Sequence, residues 1–72
     1  MGSTREVLNT MTEAQVNYLR RLKENVKIGT ERDQHLFSEQ AKATARGYIR
    51  GLIDSGVLEE NDFRTVWCWF TL

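Results

Sequence analysis

Two residues of this 72-residue chain could supply nucleophilic chemistry: His35 and Cys68, its single histidine and single cysteine. A thiol becomes an effective nucleophile when a neighbouring base takes its proton and a further group orients that base. Nothing in the sequence sets such a base beside Cys68. The residue stands in Val66-Trp67-Cys68-Trp69-Phe70, and bulky apolar neighbours predict a buried, unreactive thiol. A zinc site needs about four ligands at a recognisable spacing, and the chain has no such set. Gly47 and Gly51 fall inside a helical pattern, so they form neither a phosphate-binding loop nor a dinucleotide fingerprint. The expectation is a protein without catalytic residues, metal or cofactor, acting through a surface.

Three features could serve as that surface. Lys42, Arg46 and Arg50 are four apart, so on a helix they share one side. They would offer either a patch for phosphate or an acidic partner, or a solvated flank whose long stems cover the edge of the core. Ala43, Gly47 and Gly51 form a line of small residues beyond that basic line. Each mid-helix glycine costs about 1 kcal/mol relative to alanine, so the pair implies that another backbone comes close. That backbone belongs either to the same chain or to a partner. Trp69 is the third feature. It is either an interface anchor, where tryptophan is enriched, or a lid over the Gly47/Gly51 groove of its own chain.

The elements that must position these residues are helices. Thr12-Glu13-Ala14-Gln15 is a capping box, with Met11 and Val16 as its hydrophobic staple. Val16, Leu19, Leu22 and Val26 then recur at helical spacing, and Gly29 reads as the stop. The first long helix is therefore expected over 13–27, with Arg20, Lys23 and Lys27 along the edge of its apolar stripe. Glu24 is expected to pair with Arg20 and Arg21, and Asp54 with Arg50. Residues 30–37 are polar and ambiguous. Ser38 reads as the N-cap of a second long helix, whose apolar face is Ala41, Ala45, Tyr48, Ile49, Leu52 and Ile53. Gly56 ends it in the left-handed conformation, and Val57 and Leu58 pack the corner. Glu59, Glu60, Asn61 and Asp62 then suit the start of a third helix, with Phe63, Val66, Trp67 and Phe70 on one face. Residues 64–72 also suit a strand by composition, but no partner strand is evident. Residues 4–10 form a short segment anchored by Val7 and Leu8.

Composition narrows the function classes. Ten basic and ten acidic residues leave no net charge, which argues against strong non-specific nucleic-acid binding and favours association. The longest apolar run is far short of the roughly 20 residues that span a bilayer, so no membrane role is expected. Met1–Glu6 lacks the apolar core of a signal peptide. Met1-Gly2-Ser3 is either a native start or a cloning remnant. With one thiol and no intrachain disulfide, the expected compartment is the cytoplasm.

The stretch from Ala45 to Leu58 runs as a helix ending in glycine, two aliphatics turning the corner, and an acidic helix start. It resembles short helical accessory proteins of bacteriophages and mobile elements of Gram-positive bacteria. The resemblance covers that stretch alone. It implies a small protein that binds a larger partner, and it transfers no site residues.

The chain is thus expected to be one all-α domain over 1–72, a small three-helix bundle with a short N-terminal segment. The expected function is a protein-binding accessory or regulatory module that uses Gly47, Gly51 and Trp69 on a larger partner or on a second copy. The alternative is a nucleic-acid-binding module resembling a helix-turn-helix, with Lys42, Arg46 and Arg50 on phosphates. The last helix would then be the recognition helix, yet it offers only Arg64 as a cation.

Overall fold

A computed structural model describes residues 4–72; the Met1-Gly2-Ser3 start lies outside them. The described residues form four helices and no strand: α1 (Thr4–Asn9), α2 (Glu13–Glu31), α3 (His35–Asp54) and α4 (Asp62–Thr71). The three long helices are those expected, and the short N-terminal segment is a helix too. The C-terminal element is helical. The molecule measures 35 × 21 × 20 Å. Its long axis is set by α2 and α3, each about 30 Å long at 1.5 Å per residue.

The α2/α3 hairpin is the frame. At its start the capping box is closed in both directions. Gln15 N–H donates to Thr12 Oγ1 at 3.1 Å, and Thr12 N–H donates to Gln15 Oε1 at 2.9 Å. Met11, on the staple position, is buried. Tyr18 and Tyr48 meet across the hairpin with ring centroids 4.6 Å apart. Leu19, Ile49, Val66 and Phe70 are fully buried, one or two from each of α2, α3 and α4. The short α1 closes the bundle by packing on α4 through buried Val7.

The hairpin turn departs from expectation. Gly29 does not stop α2, which continues to Glu31. Asp33 takes the left-handed conformation instead, with φ 56°. Asp33 N–H donates to Thr30 O at 3.4 Å and Gln34 N–H to Gly29 O at 2.7 Å, the pattern of a Schellman motif. Aspartate tolerates this conformation better than most side chains. Gly29 has a different task. It is buried where α3 begins, and a Cβ there would lie 2.9 Å from the backbone nitrogen of Ser38.

Ser38 is accordingly not an N-cap. The helix starts three residues earlier, at His35, and Ser38 is buried against α2. At the other end of α3, Gly56 behaves as expected. Its φ is 85°, its N–H donates to Ile53 O at 3.0 Å, and Val57 N–H donates to Leu52 O at 2.9 Å. Leu58 is buried behind this corner. Glu59 N–H then donates to Asp62 Oδ2 at 2.9 Å, ahead of α4.

Replacing Gly29 by alanine should force α2 and α3 apart. Overpacking of this kind costs about 1–3 kcal/mol. Urea unfolding should show a loss in that range, and an unchanged midpoint would mean that Ser38 yields freely.

Candidate functional site

The nucleophile pair does not assemble. His35 Nε2 lies 2.7 Å from Asp33 Oδ1 at the exposed hairpin turn. Cys68 is on α4, exposed rather than buried as expected, because its apolar neighbours in sequence turn to the other sides of the helix. No contact joins the two. Among the described residues, no cluster of three or more His, Cys, Asp or Glu side chains could hold a metal ion, and no helix is long and apolar enough to cross a membrane.

The basic line turns towards α4. The Arg50 guanidinium lies 5.5 Å from the Phe63 ring centroid and that of Arg46 lies 5.1 Å from Trp67. Phe63, Trp67 and Phe70 stack in succession, at 6.2 and 5.4 Å. Two cations of α3 therefore cover two rings of this stack, contacts worth about 0.5–1 kcal/mol each when exposed. Arg50 Nη1 also contacts both carboxylate oxygens of Glu60 at 2.9 Å. That pair holds the guanidinium more firmly in its charged form, its pKa raised chiefly by the Glu60 hydrogen bond. The expected Asp54–Arg50 pair is thus replaced by Glu60–Arg50, and no ion pair forms between Glu24 and Arg20 or Arg21 among the described residues. Lys42 Nζ lies 3.5 Å from Glu39 Oε1. The line is largely engaged within the chain.

Trp69 lies on the opposite flank of α4, against α2. Lys23 Nζ sits 5.7 Å from its ring centroid. The same ammonium donates to the carbonyls of Trp69, Leu72 and Phe70 at 2.9, 3.1 and 3.3 Å. These belong to the last turn of α4, where carbonyls lack intrahelical partners and the helix dipole favours a cation. Trp69 also lines a cleft of about 740 Å³ between α2 and the end of α4, with Val26 and Phe70 among its apolar walls and Arg20, Lys27, Glu24 and Glu31 among its polar ones.

Gly47 and Gly51 stand apart from all of this. Both are exposed, and a Cβ on either would meet nothing within 4 Å. No other helix of the chain approaches them, so packing within the chain does not account for the pair. Nor is Trp69 their cover. The close helix–helix approach that glycine permits occurs at Gly29 instead.

The earlier start of α3 adds residues that sequence reasoning missed. Leu36 is 73% exposed and Phe37 41% exposed. At 100° per residue, Leu36, Gln40, Ala43, Gly47 and Gly51 fall within an arc of roughly 80°. All five are exposed, and no charged residue shares that arc between Leu36 and Gly51. Had the helix been extended back to His35, the spacing alone would have aligned Leu36 with this line. The result is an uncharged outer face with large apolar side chains at one end and bare backbone at the other.

The chain matches no family model, and no curated protein or solved structure is significantly similar to it.

Replacing Lys23 by methionine keeps the stem and removes the charge over the α4 carbonyls. A loss of about 1 kcal/mol is expected, with fraying of α4 visible as a change in tryptophan emission. Arg20→Met should leave both unchanged. Equal effects from the two would remove the special role of Lys23.

Proposed function

We propose that this protein is a small binding module without catalysis of its own, whose working surface is the outer face of α3. The observation that supports this is the exposure of Gly47 and Gly51 mid-helix with no neighbour in the chain. Each destabilises the helix by about 1 kcal/mol relative to alanine, in a domain of a size that has little stability to spare. Bare backbone on an uncharged face suits the close approach of another helix. The partner is therefore a protein, and Trp69 beside its cleft provides a second contact point for a large one. Accessory or regulatory action in the cytoplasm, as in the phage and mobile-element proteins that residues 45–58 resemble, fits such a surface. Nucleic acid is the poorer fit, because Arg46 and Arg50 are engaged with α4 and the exposed side of α4 carries Arg64 as its one cation.

The test separates stability from binding. Gly47→Ala and Gly51→Ala should each raise stability by about 0.5–1 kcal/mol in urea unfolding at low micromolar concentration. A photo-crosslinking side chain at position 47, in cells that make the protein, should give a discrete protein adduct that the same group at Arg64 does not give. Destabilised alanine variants, or adducts that do not depend on position, would overturn the reading.

A further inference from the structure

We infer that the outer face of α3 pairs with the same face of a second copy, the two helices antiparallel about a two-fold axis near residues 43 and 44. This rests on the protein-binding reading above and names the partner. A line of small residues says nothing by itself about what covers it. The indication comes from how large and small residues are distributed along the whole face.

In a two-fold antiparallel pair, positions level with each other have a constant sum. Setting Leu36 level with Gly51 also sets Gln40 level with Gly47 and Ala43 level with Thr44. The large exposed side chain of one copy then meets the bare backbone of the other, and the arrangement repeats itself by symmetry. This self-complementarity is what an isologous interface requires. The exposed Phe37 ring lies beside the same end of the stripe, where it can cover the edge of the contact.

Charge agrees with size. The flank of α3 nearest the face carries Glu39 and Arg50, and the two-fold brings like flanks together. The pairing that levels Leu36 with Gly51 sets Glu39 within about one turn of Arg50 of the other copy, and the reciprocal pair follows. Arg50 contacts Glu60 through Nη1, which leaves further donors of its fork free. Zero net charge adds no long-range repulsion between copies.

The contact is small. The stripe is about 24 Å long at 1.5 Å per residue, on a helix about 10 Å wide, well below the roughly 800 Å² per partner of a standard interface. The pair is therefore weak, with a dissociation constant on the order of 100 µM. In a crowded site of action it would respond to local concentration.

Sedimentation equilibrium between about 10 µM and 2 mM should show the mass rising from 8.4 kDa towards twice that value. Leu36→Glu and Gly51→Glu should each weaken association at least tenfold, while circular dichroism stays that of the wild type. Register is read by disulfide trapping in a Cys68→Ser background. Ala43→Cys, beside the two-fold, should self-link on oxidation. Gly47→Cys alone should not, because its copies would sit about 10 Å apart along the axis, beyond disulfide reach. A mixture of Gln40→Cys and Gly47→Cys should link. A monomer at 2 mM overturns the inference, as does a dimer that Leu36→Glu leaves intact or that Gly47→Cys traps as readily as Ala43→Cys. A monomer whose Gly47 and Gly51 alanine variants are still stabilised leaves the binding face open to a different protein.

Discussion

Gly29 against Ser38 is the contact on which the rest of this structure depends. Without a Cβ at Gly29, α2 and α3 meet closely just as the chain turns. That closeness fixes how α3 is rotated about its axis. Ala41, Ala45, Ile49 and Leu52 then face inward and are buried, and Gly47 and Gly51 necessarily face out. A glycine spent on internal packing at one place thus determines that two other glycines stay uncovered. The left-handed Asp33 closes the turn without disturbing this approach.

The second organising feature is the seating of α4. The helix lies on the hairpin with an aromatic residue towards each long helix. Arg46 covers Trp67 on the α3 side, and Lys23 covers Trp69 on the α2 side. Val66 and Phe70 fill the space between. Cations on both flanks let a ten-residue helix with two tryptophans present little open aromatic surface. The basic line of α3 and the C-terminal aromatic cluster, which look like separate features along the chain, are two halves of one seam.

Much of the fold was legible in the sequence, and the reasons differ by element. The Thr12–Gln15 box is local chemistry and reads directly. So does Gly56, whose helix end is made by residues within five positions of it. The apolar period of α3 located its inner face. What failed were readings that needed a neighbour from elsewhere. Gly29 looks like a stop until Ser38 is seen against it. Ser38 looks like a cap until α2 is seen covering it. Cys68 lies among apolar residues in the chain but on the outside of its helix. Arg50 has Asp54 at helical spacing, yet Glu60 is presented to it by the turn of the corner. For the site, the sequence named Gly47, Gly51 and Trp69, and could not say which faced inward. Leu36 was lost with the misplaced helix start.

The docking of α1 on α4 has a consequence for how this protein comes into being. These two helices are among the most distant in sequence, and each covers apolar surface of the other. While the ribosome is still making the corner after α3, Val7, Leu19 and Ile49 have no α4 to cover them. The hairpin can form early from local contacts, but its open side stays wet. The bundle therefore closes in one late step, once α4 is free of the exit tunnel, and until then the nascent chain offers its apolar stripe to whatever chaperone or neighbouring chain is nearest.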